Sequence, residues 1–196
     1  MKEEKVDFSQ FSWMNPPEDI DISDKGIEFI TLPETDFWQR THYGFRRNNG
    51  HAFLTRLWDD FSLTIQTEFF YESLFDQAGL LLYIDEDNWA KASLEYQDES
   101  YGQLGSVVTT GGYSDWASTT HPLAMSSRMW YRISRREQDF LFENSADGRV
   151  WHQMRIFHIH ADLAAAKVGI YACSPQNSSF KTRFSTIVAG PSKWSH

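Results

Sequence analysis

Ala78-Gly79-Leu80-Leu81-Leu82-Tyr83-Ile84-Asp85-Glu86-Asp87-Asn88-Trp89-Ala90-Lys91-Ala92-Ser93-Leu94-Glu95-Tyr96 is the stretch on which the fold turns. Successive side chains of a strand point to opposite faces, so alternation marks a strand with one buried side. In the first half Ala78, Leu80, Leu82 and Ile84 share one face, and Gly79, Leu81, Tyr83 and Asp85 share the other. In the second half Ala90, Ala92, Leu94 and Tyr96 form an apolar side, opposite Trp89, Lys91, Ser93 and Glu95. Asp85-Glu86-Asp87-Asn88 supplies turn chemistry between them, so the whole reads as an antiparallel hairpin. Small alanines on the buried side predict close contact with a second sheet.

Outward from this hairpin the same logic gives strands over 26–32, 61–70, 106–110, 129–135, 140–144, 150–156, 168–173 and 180–189. Residues 61–70 place Leu63, Ile65, Thr67 and Phe69 on one side, and Asp147-Gly148 is a strong hairpin turn. Only 161–167 suggests a helical turn. Strands separated by turn chemistry at such short intervals predict an all-β fold, a sandwich of two antiparallel sheets. One domain over 1–196, with its core at about 11–189, is expected.

Composition narrows the function. At 196 residues with 41% hydrophobic content, the chain can build a sizeable core. Its 27 acidic residues outnumber 18 basic ones, and a net charge of -9 repels phosphate backbones. No basic cluster exceeds Arg46-Arg47 or Arg135-Arg136, so no nucleic acid partner is expected. No run approaches the roughly 20 apolar residues that span a bilayer, so no membrane partner is expected either. A single cysteine, Cys173, rules out an intramolecular disulfide. The charged start, Met1-Lys2-Glu3-Glu4-Lys5-Val6-Asp7, leads into no signal-like apolar run, and a cytoplasmic address is expected.

The polar row Trp89, Lys91, Ser93 and Glu95 is the first candidate site. An indole can stack on sugar C–H groups while the charged ends grip hydroxyls; the plainer alternative is a solvated face, which seldom carries Trp. In Thr35-Asp36-Phe37-Trp38-Gln39-Arg40-Thr41-His42-Tyr43-Gly44, Trp38, His42 and Tyr43 are candidates for a pocket, with Phe37 assigned to the core. His42 is equally compatible with a structural hydrogen bond. Thr109-Thr110-Gly111-Gly112-Tyr113-Ser114-Asp115-Trp116 reads as a glycine-flanked loop tipped with Asp115 and Trp116, for binding or as a structural turn. Trp130, Arg132 and Ser134 alternate away from Met129, Tyr131 and Ile133 and are expected to add a second row to the same open face.

Other patterns carry less. His158-Ile159-His160-Ala161-Asp162 has metal-like spacing but lacks an identified third ligand, and His152 has nothing to support it. The acidic turn 85–88 lacks a defined calcium loop, so no metal and no cofactor are expected. Glu137 and Glu143 would stand about 20 Å apart on a strand, too far for a glycosidase pair. Ser145-Ala146-Asp147-Gly148-Arg149-Val150-Trp151 reads as architecture: Ser145 bonds the turn backbone and Trp151 covers it.

Several of these runs together resemble a known family. Thr35-Asp36-Phe37-Trp38, Asp76-Gln77-Ala78-Gly79-Leu80, Asn88-Trp89-Ala90-Lys91, Ser106-Val107-Val108-Thr109, Ser114-Asp115-Trp116 and Ser145-Ala146-Asp147-Gly148 look like the family numbered 1349 among domains of unknown function. It is also labelled the regulation-of-enolase, concanavalin A-like family. The likeness runs from about Phe11 to Ala189. It implies a concanavalin A-like jelly-roll sandwich, similar to lectins, family-16 glucanases and β-xylosidase accessory domains, and supplies no catalytic set.

Such sandwiches leave one concave sheet open to solvent. A lectin-like protein holding a hydroxyl-rich carbohydrate there is the expected function. The floor would be Trp89, Lys91 and Glu95, joined by Trp130 and Arg132, with His42, Asp115 and Trp116 at the rim. A glycoside hydrolase or lyase on the same groove is the alternative, with Glu95 as acid or base and Lys91 lowering its pKa. The third is an intracellular regulator with a protein partner, the role that the enolase label suggests.

Overall fold

The computed structural model describes residues 3–56, 59–123 and 127–194; Met1 and Lys2 of the charged start lie outside them. In chain order the strands are β1 (Glu4–Lys5), β2 (Ser12–Met14), β3 (Ile20–Ser23), β4 (Gly26–Ile30), β5 (Phe37–Gln39) and β6 (Arg46–Asn48). Next come β7 (His51–Thr55), β8 (Phe61–Phe70), β9 (Gln77–Asp85), β10 (Asn88–Tyr96), β11 (Tyr101–Thr110) and β12 (Tyr113–Pro122). The last are β13 (Arg128–Arg136), β14 (Asp139–Ser145), β15 (His152–His158), β16 (Lys167–Cys173) and β17 (Lys181–Pro191).

They form two large sheets. The first runs β15-β14-β13-β8-β17-β4-β3, with β1 added along β17; the second runs β12-β11-β10-β9-β16-β7-β2. Strands pair antiparallel throughout, which makes the fold an all-β jelly-roll sandwich. A short ribbon, β5 with β6, stands apart from both sheets.

The interior follows from alternation. Ala78, Leu80, Leu82, Ala90, Ala92 and Leu94 of the second sheet join Leu63, Ile65, Tyr131, Ile133, Phe140 and Phe142 of the first in one buried cluster. β9 and β10 pair Asp85 with Asn88 across the turn, as the opening stretch predicts. β8 covers the expected 61–70, whereas β11 starts at Tyr101, five residues before the expected strand.

Four expectations change. The segment 109–116 is a tight hairpin and not a loop: Gly111 and Gly112 take φ of 57° and 78°, Thr110 pairs with Tyr113, and Asp115 and Trp116 lie on β12. The helical turn shrinks to one 3-10 turn, Leu163–Ala165, capped by Asp162. Ser145 Oγ does accept the Gly148 N–H (2.9 Å), but the ring over that turn belongs to Trp130; a Cβ on Gly148 would come within 2.9 Å of it. Trp151 lies instead over the Arg132 guanidinium, 4.1 Å from its ring centre.

The fourth change concerns β10. A second buried cluster lies on the other side of the second sheet, where Phe37 and Trp38 of the ribbon cover Ala52, Leu54, Leu81, Trp89, Tyr171 and Cys173. The sheet is therefore covered on both faces over β7, β16 and the start of β10. Trp89 is 0% exposed, packed against Phe37 at a centroid distance of 5.9 Å. It belongs to the structural core and cannot floor an open site. Among the described residues no helix is long and apolar enough to cross a membrane.

Candidate functional site

Where the ribbon ends, the outward face of the second sheet opens into a groove of about 490 Å³, within the usual range for small-ligand sites. Register places its floor in transverse rows. One row carries Leu81, Lys91, Val107 and Trp116; the next carries Gly79, Ser93, Gly105 and Ser118; a third carries Gln77, Glu95, Gln103 and Thr120.

Lys91 is 4% exposed and held on several sides. Its ammonium donates to the Phe37 carbonyl (2.8 Å) and to Asp36 Oδ1 (3.3 Å). It also lies 5.8 Å from the Trp89 ring centre and 5.7 Å from that of Tyr171. Trp89 thus serves the site from beneath, beside the cation, with no face for a ligand. Asp36 in turn accepts the Phe37 N–H (2.7 Å), so one carboxylate fixes both the ribbon and the lysine.

Glu95 is half-buried and accepts one hydrogen bond on each oxygen, from Gln97 Nε2 (3.0 Å) and Gln77 Nε2 (3.1 Å). Gln77 Oε1 meets the Tyr171 hydroxyl at 3.0 Å, and that hydroxyl meets Ser93 Oγ at 2.7 Å. Tyr171, Gly79 and Ser93 stand in register, so the tyrosine reaches Ser93 across a position with no side chain. Burial pushes the Glu95 carboxyl up to about 7, against the opposing pull of Lys91. The expected lowering by Lys91 is present but loses to desolvation. Near neutral pH Glu95 can therefore donate a proton or a hydrogen bond as well as accept one.

The walls are aromatic. Trp38, Tyr43 and Phe45 come from the ribbon, and Trp116 comes from β12. Tyr43 and Trp116 are 56% and 42% exposed. The Trp116 indole leans over Gly105, where a Cβ would come within 2.9 Å of its Nε1. The ribbon is pinned by the Gln39 N–H to Ser114 Oγ (2.9 Å), by Arg40 Nη1 to the Gly112 carbonyl (2.9 Å) and by Arg46 to Asp87 (2.8 Å). The acidic turn 85–88 thus engages an arginine of the ribbon.

Of the expected site residues, the fold gathers Lys91, Glu95, Trp38, Tyr43 and Trp116. It leaves out the others. Trp130 and Arg132 lie on β13 of the opposite sheet, facing outward, with Arg132 paired to Glu143 (2.7 Å). They form no second row of this groove. Asp115 faces away from Trp116 and meets Arg155 of the first sheet at 3.0 Å, bridging the two sheet edges. His42 is exposed at the ribbon tip with φ of 62°, against Tyr43 and outside the groove lining. His158 contacts Asp139 (2.7 Å), and among the described residues no group of three His, Cys, Asp or Glu side chains is placed to hold a metal.

Sequence reading missed Asp36, Gln77 and Gln103 as site residues, and Tyr171. A signal existed in Gly79, which interrupts a strand pattern, and glycine inside a strand often marks a close approach; Gly105 falls just before the strand expected over 106–110 and gave none.

Comparisons with known proteins agree with this picture of the fold. The family described as "Protein of unknown function (DUF1349)" matches residues 13–191. A curated relative from Saccharomyces cerevisiae, Regulation of enolase protein 1, is 30% identical over 185 residues, 94% of this chain and 91% of the relative. A solved structure of a functionally unknown protein from Saccharomyces cerevisiae is 30% identical, with a TM-score of 0.85 over 95% of this chain and 98% of that one. A GH43 protein from Bacillus licheniformis gives 0.73 at 16% identity, over 95% of this chain but 37% of that one. The alginate lyase from Klebsiella pneumoniae gives 0.61 at 10% identity, over 89% and 84% of the two chains. At such identities the last two show the sandwich alone.

Proposed function

This chain belongs to the DUF1349 family of proteins of unknown function, and we propose that it is a lectin-like protein that binds a hydroxyl-rich carbohydrate in the groove of its second sheet. The observation that carries this reading is the meeting of exposed rings with a recessed polar floor: Trp116 and Tyr43 rise beside Ser93, Glu95 and Lys91. Rings present flat apolar faces to sugar C–H groups, and the amides, hydroxyl and carboxyl below supply donors and acceptors at fixed positions. Lys91 is already satisfied by Asp36 and Phe37, so its part is to set the floor's shape and charge.

The test is an array of linear oligosaccharides probed with wild type, Trp116→Ala and Glu95→Gln. Binding by the wild type that both variants weaken supports the reading. Unchanged binding in both variants rejects the groove, and the same incubation reports any cleavage of bound sugars.

The name of the curated relative favours a second reading, in which this chain acts on enolase through protein contact. Purified enolase, assayed and titrated with the chain, decides it. No change in activity and no complex would end that reading.

A further inference from the structure

The groove has one closed end, and the inference drawn from it rests on the carbohydrate reading above. Its middle row runs Tyr171, Gly79, Ser93, Gly105 and Ser118 across five strands. Gly79 leaves room for Tyr171 to reach Ser93, and Gly105 lets the Trp116 indole lie low on β11, so Ser93 floors the row between two rings. From Ser93 on β10 to Ser118 on β12 the row crosses two strand spacings, about 10 Å.

The two ends differ. Beyond β9 the sheet face disappears under the ribbon: Ala52, Leu54, Tyr171 and Cys173 are sealed beneath Phe37 and Trp38. The Tyr171 hydroxyl is spent on Gln77 and Ser93. Asp36 and Lys91 stand at the same end. At the other end β12 is the last strand of the sheet, and Ser118 and Thr120 are exposed. Trp116 sits at that open mouth, its indole over Gly105.

We propose that the groove grips the end of a hydroxyl-rich chain: the terminal unit lies against Ser93 and Glu95 at the closed end, and the next units leave over the Trp116 ring at the β12 edge. An internal stretch of polymer would need an exit where the ribbon blocks the sheet.

The experiment uses linear β-1,4-linked xylose and glucose oligomers of one to six units, each uncapped, capped with a bulky group at either end, or capped at both. Affinity is expected to rise over the first few units and then level off. A cap at one end is expected to be tolerated, while a cap at the other end, or at both, weakens binding by about tenfold or more, roughly 1.4 kcal/mol per decade. Trp116→Ala is expected to weaken three-unit ligands several-fold more than single sugars. Equal binding of doubly capped and uncapped chains overturns end recognition while the carbohydrate reading stands. Equal or greater weakening of single sugars than of three-unit ligands in Trp116→Ala overturns the assigned direction. Failure of every uncapped oligomer to bind overturns both.

Discussion

Two tryptophans on one face of the second sheet have opposite duties. Trp89 is sealed under Phe37, and Trp116 is open to solvent. Truncating a large buried ring removes its transfer energy and leaves a cavity, so Trp89→Ala is expected to lose about 3–5 kcal/mol in denaturant unfolding. Trp116→Ala is expected to stay within about 1 kcal/mol of wild type, since it opens no cavity. Equal destabilisation by the two would contradict the placement of the ribbon. The buried pair Lys91–Asp36 makes a second test. Lys91→Met leaves the Asp36 carboxylate without its cation, and breaking such a pair costs about 3–5 kcal/mol. Adding Asp36→Asn removes the orphaned charge, and the double variant is expected to regain more than half of that loss. A double variant no more stable than the single one would show that the carboxylate is not stranded.

At the scale of elements, three turns meet at Gly112. Its carbonyl accepts from Arg40 of the ribbon, and a Cβ there would come within 2.2 Å of Arg40 Nη1 and 2.6 Å of Asp87 Oδ1. Gly111 has the same left-handed backbone and nothing within 4 Å. The neighbours therefore separate strain from contact. Gly111→Ala is expected to cost about 1–2 kcal/mol from its backbone alone. Gly112→Ala adds the displaced Arg40 and Asp87, and is expected to cost more and to speed exchange of the Gln39 amide, which holds the ribbon to Ser114. Equal costs with unchanged Gln39 exchange would mean that the turn does not anchor the ribbon. That ribbon also marks the limit of what the sequence discloses. Strands, turns and the main core were legible because 78–96 alternates against one interior. Trp89 was misread because alternation tells which face a residue shares, and not whether a separate element covers that face. Trp130 and Arg132 were misread for a related reason: their alternation was right, but strand order assigns them to the other sheet. Lys91, Glu95 and Trp116 were found because charge and aromaticity stood out locally; Gln77 and Gln103 enter the groove only through register.

Across the whole molecule, two titratable groups, His51 in the core and half-buried Glu95, pull stability in opposite directions with pH. His51 is 1% exposed; its Nε2 accepts the Leu32 N–H (2.9 Å) and its Nδ1 meets the Asn15 carbonyl (2.6 Å). Burial holds its pKa below the usual 6.5, so between the lowered value and 6.5 unfolding takes up a proton. Stability is then lost as the pH falls below about 6.5. Glu95 works the other way. Its carboxyl is raised from 4.5 to about 7, so in that window the native state holds the proton more firmly than the unfolded chain. The contribution is complete below 4.5 and is lost as the pH rises through 7, with a total of at most about 3 kcal/mol because the groove admits water. Glu95→Gln cannot ionise, so its stability relative to wild type is expected to climb from pH 4.5 to about 7 and then hold level. Unfolding curves for both proteins across that range measure the difference directly, and a difference that does not change with pH would remove the buried proton from the account. The same proton links the fold to the ligand. A sugar hydroxyl that accepts from protonated Glu95 raises its pKa further on binding, so affinity in the wild type is expected to fall above pH 7 while Glu95→Gln binds without that dependence.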